Sequence, residues 1–306
     1  MPTRNDIYDQ ISKTQAEAPD RIRREYLKEL AVFTGNDTII YSTSFTSGKP
    51  APPNSVSINI QDIQGFMGAM HSLKSANLDL ILHSPGGSLE ATEQIVKYLR
   101  SKYHYIRAII PQNAMSAATM LACACDEIVM GKHSAIGPID PQITVNTGGG
   151  AFTAPAQSIL DEFEKAKEEI INNPKSAAIW IKRIDKYPVG FIQICQNTIA
   201  LSQERVSEWL ATWMLAKDPD RDSKSKRIAE WLSAANIHLS HGRPFNYDEA
   251  EKKGLRITLL ENDQDFQEHV LSVFHATMAT HDFTNCVKLI ENQEGKGSFY
   301  SIKPPQ

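Results

Sequence analysis

With 306 residues, 16 Gly, 16 Pro, 41% hydrophobic and 22% charged side chains, the chain has ordinary globular composition and enough apolar material for one large core, which excludes a disordered or fibrous habit. Its 36 acidic and 32 basic residues leave a net charge of −4, so there is no basic surplus to neutralise a phosphate backbone and nucleic acid is not an expected partner. Of four scattered cysteines, Cys123, Cys125, Cys195 and Cys286, the close pair sits in an apolar run and reads as small buried hydrophobes, neither disulfide nor metal pair.

Residues 6–33 space Ile7, Ile11, Ile22, Tyr26, Leu27 and Leu30 at helical intervals among many charges, which predicts an amphipathic N-terminal helical segment. The run DTIIYST at 37–43 reads as a strand, after which Gly48, Pro50, Pro52 and Pro53 break regular structure. Helical periodicity returns over 59–75 through Ile63, Phe66, Met67, Met70 and Leu73, and LDLILHS after Asn77 is apolar enough for a strand buried on both faces. Then come a turn at SPGG, a helix from Leu89 to Lys102, a strand HYIRAIIPQ, a helix from Met115, a strand DEIVMG and a short strand near Ala135. Strands separated by helices predict an α/β fold on a largely parallel sheet. Residues 156–235 read as almost wholly helical, with Trp180, Trp209, Trp213 and Trp231 as core packing or a subunit contact. A helix opening at Tyr247, a strand LRITLL, a helix from Asp265 and a polar tail complete the chain. The expected division is an N-terminal helical and strand extension, 1–50, and a main domain, 51–306, with a helical insertion at 156–235.

Residues 1–32 are rich in Arg, Lys, Glu and Asp and do not read as a signal peptide. The longest apolar stretches, such as Met115–Cys125, are about half the length a bilayer crossing needs. The expectation is a cytoplasmic protein without a membrane partner.

Three constellations bear on chemistry. His83-Ser84-Pro85-Gly86-Gly87 places a glycine pair after a buried strand and before a helix, at the sheet edge where open α/β folds build their sites. Its N–H groups suit a developing oxyanion, and a plain tight turn explains the residues equally well. Asn113 to Thr119 again joins a strand to a helix, with Ser116 between Ala114, Ala117 and Ala118. That is the setting of a nucleophilic serine, but the glycines of G-x-S-x-G are absent and the pattern alone favours an N-capping one. A base is also required, and of nine histidines His83, His133, His238 and His241 lie near expected turns; spacing does not choose among them. His238-x-x-His241 is only a two-ligand fragment, so no metal or other cofactor is expected.

In one order and at compact spacing the chain carries L-H-S-P-G-G, A-M-S-A, D-E-I-V-M and G-P-I-D-P-Q within 79–142, followed by SHGRPFNYDEAEKKGL at 240–255 and CVKLIENQEGKG at 286–297. On these motifs it resembles the ClpP-class peptidases, more narrowly the serine dehydrogenase proteinases, the SDH-family Clp-fold serine proteinases. The resemblance implies a ClpP/crotonase-like fold of repeated β-β-α units with helical additions, and a serine endopeptidase that uses no cofactor. It makes 51–306 the peptidase domain, Ser116 the nucleophile, and Gly86, with Gly87 or Ser88, and Ala117 the oxyanion donors.

In ClpP itself a histidine in a short H-Q-P sequence follows the nucleophile helix, and the aspartate lies farther on, before an F-x-x-x-E-A helix start. This sequence departs from both, with Ile139-Asp140-Pro141-Gln142 at the first place and Ser240-His241-Gly242-Arg243-Pro244-Phe245 at the second. Carried over with the two residue types exchanged, His241 is the expected base and Asp140 its orienting acid, in the chain order Ser116, Asp140, His241. A Ser–Lys dyad through Lys165 or Lys167, as in signal peptide peptidases of this fold, competes with that arrangement, as does His133 as base. A crotonase-type acyl-CoA enzyme and a non-catalytic oligomeric scaffold are the other classes. The expected partners are a peptide or unfolded-protein substrate, further copies of the chain, and a separate regulatory or unfolding protein.

Overall fold

The structure, a computed structural model, describes Ile7, residues 18–147 and residues 150–302. Helix α1 (Ala18–Thr34) contains most of the N-terminal helical pattern; Ile11 lies outside the described residues. There follow β1 (Asp37–Thr43), α2 (Asp62–Met70), β2 (Asn77–His83), α3 (Leu89–Arg100), β3 (Tyr105–Ile110), β4 (Asn113–Ala114), α4 (Ala117–Cys123), β5 (Glu127–Met130) and β6 (Ala135–Ile136). A hairpin of β7 (Gln142–Thr147) and β8 (Gly150–Pro155) leads into α5 (Ala156–Asn172), α6 (Ala177–Ile184), α7 (Phe191–Trp209), α8 (Arg221–Leu232) and α9 (Ala235–His238). The chain closes with α10 (Tyr247–Lys252), β9 (Ile257–Leu259), α11 (Gln264–Phe283), β10 (Cys286–Asn292) and β11 (Gly297–Ser301).

The main sheet has seven strands in the order β11-β10-β1-β2-β3-β5-β9. The run from β1 to β9 is parallel, whereas β10 and β11 add antiparallel at one side. The fold is therefore the expected α/β architecture with a mostly parallel sheet, and β1 of the N-terminal segment lies inside that sheet.

Successive side chains of a strand face opposite sides, and both sides are covered here. Ile40, Ile81, Ile109 and Val129 meet Leu27 and Leu30 of α1 and Val270 of α11 on one face. Ile39, Tyr41, Leu80, Leu82, Ala108 and Ile110 meet Phe66, Ile95 and Leu121 on the other. Burial on both faces is why these strands read as nearly continuous apolar runs and not as alternations. Trp209 and Trp231 join this second core. Trp213 lies under the Arg100 guanidinium, 4.5 Å from it, and Trp180 donates to Glu169 at 2.7 Å. The four cysteines are free and buried, and burial pushes the Cys125 thiol up to about 12, so it stays protonated. Among the described residues, no helix is long and apolar enough to cross a membrane.

The expected polar tail is a correction: residues 286–292 and 297–301 are strands β10 and β11. Every residue of β10 is buried, including Lys288, Glu291 and Asn292, because each finds a partner inside. Lys288 meets Asp62, Glu291 meets Arg23 and Arg24, and the Asn292 amide donates to Ala69 O. Paired polar groups of this kind hide a core strand from a hydropathy reading.

Candidate active site

Beyond the carboxyl ends of the parallel strands a small ladder gathers four distant segments. Ser84 bridges Ala114 in parallel, Ala114 pairs with Ile136 in parallel, and Ile136 bridges Phe245 antiparallel. Each rung places a site residue just past it. In the parallel step Gly86 and Ser116 each lie two residues beyond the Ser84–Ala114 rung, so they come side by side. In the antiparallel step Asp140 and His241 each lie four residues from the Ile136–Phe245 rung, on its same side, and they meet.

The glycines are required by close approach. Gly86 has φ +97°, and a Cβ there would fall 2.6 Å from Met115 O and 2.7 Å from Ser116 Cβ; one on Gly87 would fall 2.2 Å from Ile58 O. Gly86→Ala is expected to destabilise the protein by about 2–4 kcal/mol, through positive φ together with overpacking against backbone. Urea unfolding checks this, and a change within about 0.5 kcal/mol would show that the loop is free to move.

Ser116 has φ 52° and ψ −121°, a conformation that non-glycine residues rarely adopt and that costs about 1–3 kcal/mol. Its side chain caps nothing, although it stands at the first position before α4. The capping alternative is thereby removed, leaving a half-buried hydroxyl on a strained strand-to-helix elbow. Ala117 and Ala118 are buried behind it, where larger side chains would not fit. Thr119 Oγ1 donates to Ala114 O at 2.8 Å and accepts from Gly137 N at 3.0 Å, tying the elbow to the segment that carries Asp140. Gly86 N–H is engaged by Ser84 Oγ at 3.1 Å. Among the described residues, the Gly87 and Ala117 N–H groups donate to no protein acceptor.

His241 Nδ1 lies 2.8 Å from Asp140 Oδ1, with Asp140 buried and His241 partly open to solvent. The second carboxylate oxygen of Asp140 accepts from Gln142 Nε2 at 2.6 Å. An ionised aspartate only accepts, so His241 carries its proton on Nδ1 and its Nε2 is left as an acceptor. Arg243 anchors the His241 loop by donating to His238 Nδ1 at 3.0 Å and to Glu249 at 2.9 Å. Ser116 Oγ and His241 are not hydrogen-bonded to one another in this structure.

The remaining candidates lie elsewhere. His238 is buried, with Nε2 on Trp231 O, and serves the loop. His133 Nε2 contacts Pro111 O at 2.9 Å. His83 is buried against Phe45 and Phe274, and burial pushes its pKa down to about 3. Lys165 and Lys167 are mostly exposed and paired with Glu169 and Glu164, at 4.0 and 2.7 Å. Gln142 and the Ser57–Asn59 segment belong to the site and escaped the sequence reading, since neither carries a chemical signature of its own. The one available cue to Gln142 was its position two residues after Asp140.

Compared with known proteins, residues 53–281 match the ClpP-like SDH-type serine proteinase family. Two uncharacterized proteins of Methanocaldococcus jannaschii are 29% and 28% identical over 201 residues, which is 65% of this chain and 59% and 60% of theirs. The chain thus spans about three fifths of the length of these curated relatives. Among solved structures, two variants of the 1510-N membrane-bound stomatin-specific protease, one with a substrate peptide, are 16% identical at a TM-score of 0.36. Each alignment covers 64% of this chain, and 69% and 65% of theirs. An enoyl-CoA hydratase from Mycobacterium avium subsp. paratuberculosis is 14% identical at a TM-score of 0.24, over 62% of this chain and 91% of its own.

Proposed function

Since this chain belongs to the family of ClpP-like SDH-type serine proteinases, we propose that it is a serine endopeptidase working through an acyl-enzyme on Ser116, with His241 as general base and Asp140 orienting it. Ser116 Oγ attacks the scissile carbonyl carbon while His241 Nε2 takes the hydroxyl proton. The carbonyl oxygen becomes an oxyanion held by the N–H groups of Gly87 and Ala117, and Gly86 contributes by having no Cβ to obstruct the elbow. The C–N bond then breaks, His241 passes its proton to the leaving amine, and water repeats the sequence on the acyl-enzyme. The Ser116–His241 hydrogen bond forms when substrate closes the site, as catalytic hydrogen bonds often tighten only in the complex.

The observation that carries this reading is the 2.8 Å contact of His241 Nδ1 with a buried Asp140 whose other oxygen is also occupied. A Ser–Lys dyad is less well supported, because a lysine base must lose its water, and Lys165 and Lys167 keep theirs beside carboxylates. An acyl-CoA enzyme would use the oxyanion loop without a serine, and the strain stored at Ser116 would then serve no step. Substrates are short peptides or unfolded chains, further copies of the chain form a closed oligomer, and unfolding of larger substrates falls to a separate protein.

A fluorophosphonate probe is expected to phosphonylate Ser116 and to leave a Ser116→Ala variant unlabelled. Labelling that survives in the variant, or turnover of a CoA thioester with no labelling at all, would overturn the reading. Wild-type cellular behaviour of the same variant would favour a scaffold.

A further inference from the structure

A buried ion pair lies behind the oxyanion loop with no part in the steps above. Lys288 on β10 is 1% exposed, and Asp62 at the start of α2 and Tyr41 on β1 are 0% exposed. Lys288 Nζ donates to Asp62 Oδ1 at 2.8 Å and to Ser57 O at 2.7 Å. Asp62 Oδ2 accepts from Tyr41 OH at 2.8 Å and from Asn59 N at 3.0 Å. The pair therefore grips residues 57 and 59 of a single extended strap. Between them, Ile58 faces the other way: its N–H donates to Gly86 O at 2.7 Å, and its carbonyl accepts from Ser88 N at 2.9 Å. Gly87 sits between those two bonds, so its own N–H is directed away from the strap. A Cβ on Gly87 would collide with Ile58 backbone, so the two segments cannot shift independently.

We propose that Lys288, Asp62 and Tyr41 are positioning residues for the oxyanion loop, holding Ile58 so that Gly87 N–H points to where the substrate oxyanion develops. They touch no substrate and act only through the strap. Taking a charge pair out of water is expensive. Apolar residues would fill the same core without that cost, whereas only a directed donor at Lys288 and a directed acceptor at Asp62 fix both ends of a three-residue backbone segment. The catalytic half of this inference rests on the peptidase reading; the structural half does not.

The test is a Lys288→Met/Asp62→Asn variant, which removes both charges together and leaves no carboxylate unpaired in the core. Two readouts are taken on folded protein: amide hydrogen exchange at Ile58 and Ser88, and the rate of fluorophosphonate labelling of Ser116 per folded molecule. Exchange at those two amides is expected to quicken on the order of tenfold relative to amides of β2. Labelling is expected to slow on the order of tenfold or more, toward the loss seen when one oxyanion donor is removed. A purely stabilising pair would instead quicken exchange throughout β1 and β2 and leave the labelling rate per folded molecule unchanged, which overturns the proposal. Tyr41→Phe keeps the ring stacked on Phe66 and leaves both charges in place, so it provides the same test in a variant that folds; a smaller change in the same direction is expected. Wild-type rates and exchange in this variant overturn the inference. If Ser116 of the unaltered protein resists labelling, the peptidase reading fails, and exchange at Ile58 and Ser88 still decides the strap.

Discussion

Asp140→Asn is expected to lower peptide hydrolysis by roughly 10³–10⁴-fold with little loss of stability, because the substitution is isosteric and acts on the proton of His241. Both oxygens of Asp140 are approached by donors, His241 Nδ1 at 2.8 Å and Gln142 Nε2 at 2.6 Å. An asparagine offers one acceptor and one donor. If its carbonyl faces His241, its NH₂ opposes Gln142 Nε2, and the Gln142 amide must turn over to offer Oε1 instead. If its NH₂ faces His241, Nδ1 must accept and the proton moves to Nε2, the atom that has to take the Ser116 proton. A second substitution, Gln142→Glu, supplies an acceptor for that NH₂ and lets the carbonyl return to His241. The double variant is therefore expected to recover about tenfold or more of the lost rate. Steady-state hydrolysis of an unfolded protein substrate by the single and double variants measures this. A single variant that hydrolyses close to the rate of the unaltered protein would mean that Asp140 does not control the tautomer.

Stability is expected to fall as pH drops from 7 toward 5, where most carboxylates are still ionised. Burial pushes His83 down to about 3 and His281 down to about 4, from an ordinary 6.5. After burial, His281 lowers His83 further, and the cations Arg23 and Lys49 lower His281, with the Cys286 carbonyl and Asp282 opposing. His281 is held neutral between Ser42 Oγ and Cys286 O. Both folded-state values lie below the unfolded one, so below pH 6.5 the unfolded chain binds protons that the native state refuses. The stabilisation is complete above pH 6.5 and drains as pH falls, by about 2 kcal/mol for each ring at pH 5. Urea unfolding at pH 7 and pH 5 checks the sign and size. His83→Phe places an apolar ring between Phe45 and Phe274 and returns the exposed Thr46 hydroxyl to water, so it is expected to remove about half of the slope. A slope unchanged in that variant would assign the acid sensitivity to other groups.

Most of the sheet was legible because strands buried on both faces leave nearly continuous apolar runs, as Leu80 to Leu82 and Ala108 to Ile110 do, and the charges that precede these, Asp79 and Arg107, pair with each other. The glycine pair and the Ser116 elbow were legible for a similar local reason. A sharp strand-to-helix turn admits few residue types, and those types appear side by side in the chain. What could not be read locally was any group whose environment is supplied by distant chain. The β10 strand looked polar because its partners, Asp62 and Arg23, stand more than two hundred residues away. Nor does spacing choose His241 over His133, His83 or His238, because all four stand near turns.

The sequence by itself thus determined the local chemistry of this protein: two close-approach glycines, a serine among small residues, and the strands that carry them. The family resemblance named His241 and Asp140, and only the tertiary structure brought them together. Asp140 and His241 are 101 residues apart and meet through the antiparallel Ile136–Phe245 rung, a register written by backbone hydrogen bonds and not by either side chain. The strap that holds Gly87 in place depends on a lysine and an aspartate from opposite ends of the chain. Short-range sterics constrain which residues can stand next to one another in sequence, whereas hydrogen-bond geometry between distant strands settles which of them share a site.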